Sequence, residues 1–198
     1  MKRIHKIVLI VLMCVVARSA YAQEKRAAGV VEIQPSSVRE EYMRVFDDLN
    51  KKFVSLAEAI PAEKYDWRPG EGVRSIREVF AHVTNGNYGF MAMAGNPIPS
   101  GVDGKSIDAL TDKAKIVEVL KQSFDHVRQI YGKMQDADFE KPAKMGNRQT
   151  VVREVFFYLI THEPEHLGQL IAYARMVNVV PPWTAERQAQ QQQQQQKK

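Results

Sequence analysis

Three histidines carry the chemistry that this sequence offers: His162 and His166, four apart, and His82, far upstream. The pair lies in Thr161-His162-Glu163-Pro164-Glu165-His166-Leu167-Gly168-Gln169, inside an apolar run over 151–177 that reads as one long helix. At about 3.6 residues per turn, positions four apart share a face. That face continues as Val155, Leu159, His162, His166, Gln169 and Tyr173. Two imidazoles in a stripe that should be buried need partners, because an unpaired buried polar group costs roughly 1–3 kcal/mol. One metal ion satisfies both nitrogens at once.

His82 stands on the flank of a second amphipathic segment, roughly 100–120° from the centre of its apolar stripe. It shares that flank with Gly86, Gly89 and Met93. Each glycine costs about 1 kcal/mol of helix propensity relative to alanine, and the pair clears space beside the imidazole. Three protein ligands and an open position are what a catalytic metal site needs. The alternative is a flank histidine beside glycines that allow close helix packing. His126 projects away from the core of its own segment and reads as a partly exposed surface histidine.

His162-Glu163-Pro164-Glu165-His166 also matches H-E-x-x-H, the zinc-peptidase signature in which the glutamate is the general base. Several features argue against that reading. Pro164 removes the amide that would bond the Ile160 carbonyl, and Glu165 adds a charge between the histidines. Gln169 and Ala172 occupy the positions where the longer peptidase signature requires Gly and His. The nearest acid to serve as a third ligand, Glu186, lies beyond Pro181-Pro182.

These residues must be held by helices. Ser37-Val38-Arg39-Glu40 and Ser75-Ile76-Arg77-Glu78 are capping boxes. The first opens a helix over 38–60 through Tyr42, Phe46, Leu49, Phe53 and Leu56, stopped by Pro61. The second opens the helix of His82. Gly, Pro, Ser and Asp dominate residues 95–108, which mark a long crossover loop. Thr111 is expected to cap a third helix with Val117, Leu120, Phe124, Val127 and Tyr131 inside. Residues 142–147 read as a turn, and Thr150 as the cap of the fourth helix. No stretch reads as a long strand. The expected fold class is all-α, a four-helix bundle with a long crossover between helices 2 and 3.

Residues 1–22 have the form of a signal peptide: Lys2, Arg3 and Lys6, an apolar stretch over 7–17, and Ala20-Tyr21-Ala22 as the cleavage site. Export to the periplasm or medium is expected, with no membrane span once the leader is removed. Cys14, the only cysteine, falls in the leader, so the mature chain has neither disulfides nor thiolate metal sites. The leader holds four basic residues and no acid. The remainder therefore carries 24 basic against 23 acidic residues, and this near-neutral balance gives no footprint for nucleic acid. Residues 23–35 read as a flexible leading segment, 36–183 as the bundle, and 184–198 as a disordered Gln-rich tail.

Over 36–183 the chain resembles the DinB/YfiT-like family of metal-binding four-helix bundles. The resemblance rests on Tyr65-Asp66-Trp67-Arg68-Pro69, on Ser75-Ile76-Arg77-Glu78-Val79-Phe80-Ala81-His82, on His162-Glu163-Pro164-Glu165-His166-Leu167-Gly168-Gln169-Leu170, and on Val180-Pro181-Pro182-Trp183. It implies one divalent metal ion, held by His82, His162 and His166. Imidazole donors suit zinc or nickel alike. Some members are transferases or isomerases that use low-molecular-weight thiols. Two readings stay open: a metal-dependent transferase or hydrolase that activates a thiol or water, and a non-catalytic metal-binding bundle. Gln169, Glu163 and Glu165 are candidates to support the ligands or contact substrate, and no catalytic residue is singled out. A small-molecule substrate and a homodimer are compatible with either reading.

Overall fold

The computed structural model describes residues 37–196; the leader over 1–22 and the segment over 23–35 lie outside the described residues. Four long helices dominate: α1 (Val38–Ala59), α2 (Ile76–Met93), α4 (Lys113–Lys133) and α5 (Val152–Met176). Two further helices are α3 (Gly104–Asp108), in the crossover, and α6 (Pro182–Gln196), at the end. None of the described helices is long and apolar enough to cross a membrane.

Side-chain pairs fix how the bundle is wound. Tyr42 stacks on Tyr131 and Lys121 meets Glu58, so α1 and α4 run antiparallel. Arg77 bonds the Leu110 carbonyl just before α4, and Asn87 bonds Ser123 within it, so α2 and α4 run parallel. His82 faces His166 while Phe90 faces Tyr158, which makes α2 and α5 antiparallel. Two consecutive long helices that run parallel need a connection that returns along the bundle. That requirement is the physical reason for the long crossover over 94–112.

Phe46, Phe53, Leu56, Phe80, Leu120, Phe124, Val155 and Leu159 are fully buried in one core. Each contributes about 1.5–3 kcal/mol by leaving water. Ser75 caps α2 as expected: its hydroxyl accepts from the Glu78 amide, and the Glu78 carboxylate accepts from the Ser75 amide. The glutamate is held below its ordinary pKa, chiefly by that backbone bond.

Several boundaries differ from the sequence reading. Asp112, not Thr111, caps α4, accepting from the Lys115 amide; two good caps stand side by side, and aspartate is the stronger. Residues 142–147 are not a plain turn. Strand β1 (Pro142–Met145) pairs antiparallel with β2 (Arg148–Val151) across Gly146-Asn147. Gly146, at φ 59°, supplies the left-handed backbone that a two-residue hairpin turn needs at its first position. Thr150 therefore belongs to β2 and bonds the Glu154 side chain, while Val151 occupies the cap position of α5. The crossover is interrupted by α3, which Asp103 caps through the Ser106 amide.

Within the Gln-rich tail the described residues form α6. The chain is helical through Gln196, with residues 185–196 exposed. Glutamine is a good helix former, so helix forms here without a buried face to drive it.

Candidate metal centre

The site lies where α2 and α5 pass each other. Nε2 of His162 is 3.3 Å from Nε2 of His82 and 3.1 Å from Nε2 of His166. One donor atom from each residue falls within 4.8 Å of the other two, and all three rings are half-buried. Two nitrogens bound to one tetrahedral ion at about 2.0–2.1 Å stand about 3.3 Å apart, so the spacing suits a shared ion. The three residues predicted from sequence are therefore brought together.

The protonation pattern supports the same fit. Nδ1 of His166 lies 3.1 Å from Oε1 of Gln169, and Nε2 of Gln169 donates to the Tyr173 hydroxyl at 2.8 Å. With a carbonyl oxygen facing it, Nδ1 of His166 carries the proton, and Nε2 points at the other imidazoles as a bare lone pair. Supporting a ligand histidine through its other nitrogen is the usual way its tautomer and orientation are fixed. His82 and His162 are both pushed down to about 4, mainly by burial. For His82 the next cause is the Arg74 charge, then the neighbouring imidazoles; for His162 it is His166, then Arg74. Both are therefore in the neutral, ligating form at neutral pH.

The glycines act differently from one another. A Cβ on Gly86 would meet Cε1 of His162 at 3.4 Å, so this glycine makes room for the ring of His162. Gly89 faces open space. Beside His82 a pocket of about 470 Å³ opens, lined also by Arg68, Arg74, Glu78, Asn85 and Asp108.

Pro164 is accommodated within a continuous α5 because it lies on the exposed face, where water can satisfy the freed carbonyl.

Of the other candidates, Gln169 lies against His166, whereas Glu163 and Glu165 point away from the three imidazoles. Glu165 is exposed. Glu163 is fully buried, neither carboxylate oxygen has a partner, and burial raises its pKa to about 8. Its charge reaches Tyr42, whose hydroxyl is raised chiefly by its own burial. An acid enclosed in this way has no access to a substrate, so the peptidase reading of H-E-x-x-H loses its base. Glu186 is exposed on α6 and takes no part in the convergent group. His126 is half-buried against Tyr88, 5.2 Å between rings, with burial lowering its pKa. The sequence reading missed Arg74, because no spacing rule links a loop residue before a cap to a histidine two turns into the helix.

Solved structures share this architecture. A DinB-like protein from Bacillus cereus matches with a TM-score of 0.63 at 15% identity, covering 72% of this chain and 95% of that one. YfiT from Bacillus subtilis, described as a probable metal-dependent hydrolase with an unusual four-helix bundle topology, matches with 0.57 at 13%, covering 76% and 97%. A second DinB-like protein from Bacillus subtilis, YjoA, matches with 0.57 at 18%, covering 70% and 92%. No curated protein matches the sequence. The family model of the DinB superfamily matches residues 46–170, and with more than half of its length so matched the chain belongs to that superfamily.

Proposed function

We propose that this is an exported metal-dependent hydrolase or transferase acting on a small molecule, with one divalent ion held by His82, His162 and His166. The observation that carries the reading is the convergence of three Nε2 atoms around one point, with the tautomer of His166 set by Gln169. The description of YfiT as a probable metal-dependent hydrolase supports the same direction. Bound there, zinc or nickel supplies Lewis acidity, which makes water or a thiol a better nucleophile at neutral pH.

The chain's own residues do the rest. Tyr173 and Gln169 hold His166 in register, and Gly86 leaves room for the ring of His162. Burial keeps His82 and His162 neutral. The pocket beside His82 supplies space for a molecule of modest size.

The test is metal analysis of protein purified from its native compartment, followed by hydrolysis and thiol-transfer assays of the loaded protein. About one ion per chain and turnover abolished by chelation are expected. Wild-type protein that takes up no ion would overturn the reading. Intact mass of the same material tests export, with a chain beginning near Gln23 expected.

A further inference from the structure

The pocket beside His82 contains one charge that the fold does not use. Arg68 donates to the Val73 carbonyl and to Glu78. Glu78 also caps α2 through the Ser75 amide. Asp108 accepts from Asn85, and nearby Arg77 is held by Asp66 and the carbonyls of Asp108 and Leu110. Arg74 alone lines the pocket with no hydrogen bond or ion pair among the described residues, and it is exposed.

Its backbone is nevertheless held on both sides. The Val73 amide bonds the Gly70 carbonyl, Arg68 bonds the Val73 carbonyl, and the Ser75 amide bonds Glu78. Gly72, at φ 75°, makes the turn that brings this short loop back to the start of α2. A fixed backbone carrying a free guanidinium is a prepared arm, and its charge is felt at both His82 and His162.

We infer that Arg74 is the anion-binding arm of the site, and that the substrate is a small molecule bearing a carboxylate or phosphate next to the group presented to the histidines. The inference rests on the metal-dependent reading above and adds the substrate class. Charge supports it. Within the pocket Arg68 and Arg74 are formally balanced by Glu78 and Asp108. Three neutral imidazoles leave a divalent ion uncompensated, so the loaded site is cationic and draws an anion. A guanidinium fork matches the two oxygens of a carboxylate or phosphate, which an ammonium cannot do as a pair.

The experiment uses full mature protein and reads binding, not turnover. Metal content is measured first, so that failure of the metal reading is seen separately. Inorganic phosphate and malonate are then titrated by calorimetry into loaded and metal-free protein. The variants are Arg74→Ala, Arg74→Lys and the remote charge control Lys144→Ala. Saturable binding of either anion to loaded wild type is expected, with phosphate or malonate preferred according to the natural group. Arg74→Ala should weaken it about tenfold or more at unchanged metal content. Arg74→Lys should restore part of the loss, and Lys144→Ala should change it less than about twofold. Equal affinity in wild type and Arg74→Ala, or no binding of either anion to wild type, overturns the inference. If no metal is taken up, the function proposed above fails, and the metal-free titration decides the role of Arg74 by the same two outcomes.

Discussion

His162 and Glu163 are neighbours on α5, yet they face different surroundings. His162 is half-buried beside two other imidazoles and an open pocket, with Gly86 giving it room. Glu163, one residue on, enters the core and finds no partner for either oxygen. Both have pKa values displaced by burial, the histidine down to about 4 and the acid up to about 8. In each case the neutral form is favoured. On the histidine side that neutrality creates a lone pair that a cation can use. On the glutamate side it only reduces the cost of enclosing a carboxyl. A displaced pKa therefore marks burial, and convergence with other groups is what separates a site from a liability.

The largest effect is expected on the histidine side. A His162→Ala/His166→Ala double variant should fall from about one ion per chain to almost none, since three ligands are the usual minimum for a catalytic site. His126→Ala should leave the content unchanged. Mass-spectrometric metal analysis of the purified variants decides it, and equal loading of wild type and the double variant would return the pair to being ordinary buried histidines. Next in size is Gln169→Ala, which frees the tautomer of His166. Metal affinity should weaken about 10–100-fold, with Tyr173→Phe producing the same loss in smaller measure. Competition with a chromophoric chelator measures both.

Acid should act on the same side. His82 and His162 are depressed from the ordinary value of about 6.5, so protons compete with metal only at lower pH. Affinity should therefore hold through pH 6.5 and fall only as pH approaches about 4. In the metal-free protein the unfolded chain takes up protons first as pH falls through that window. Stability should therefore decline from about pH 6.5 towards 4. Denaturation curves across that range check the sign.

On the glutamate side the sign reverses. A folded-state pKa raised to about 8 contributes stability that is present below the unfolded value and lost as pH rises through 8. Glu163→Leu should therefore raise stability by about 1–3 kcal/mol at neutral pH, and the gain should widen towards pH 8. Metal content should not change. Loss of the ion in this variant would mean that the carboxyl serves the site after all.

How much of this was legible in the sequence follows from how local each signal is. The shared face of His162 and His166, and the Ser75 cap with Glu78, depend on one helix each and are legible in the sequence. His82 joins them only through packing of α2 on α5; its flank beside Gly86 and Gly89 makes it a candidate, and the family resemblance implies its place. Glu163 stands in the sequence as a candidate to support the ligands because the stripe through His162 and His166 looks like the centre of the buried face. The observed core line runs through Phe156, Leu159, Glu163, Leu167 and Leu170 instead, which leaves the imidazoles at its margin. The β1–β2 hairpin and the cap at Asp112 were missed at element ends, where neighbouring residues offer competing signals.

The smallest effect is expected at the histidine margin itself. Gly86 and Gly89 both lie inside α2, and each costs about 1 kcal/mol of propensity relative to alanine. Nothing lies within 4 Å of a Cβ placed on Gly89, so Gly89→Ala should recover most of that, stabilising the protein by about 0.5–1 kcal/mol. A Cβ on Gly86 meets His162 at 3.4 Å and the Phe90 ring at 3.6 Å, at the near edge of ordinary contact. Gly86→Ala should thus gain less stability than its partner, because the new methyl restricts the His162 ring between itself and Phe90. That restriction should also be visible in metal affinity, with a change of a fewfold in Gly86→Ala and none in Gly89→Ala. Chemical denaturation of the metal-free proteins and chelator competition of the loaded ones measure the two quantities separately. Identical behaviour of the two variants in both would show that the ring of His162 does not depend on the space Gly86 leaves.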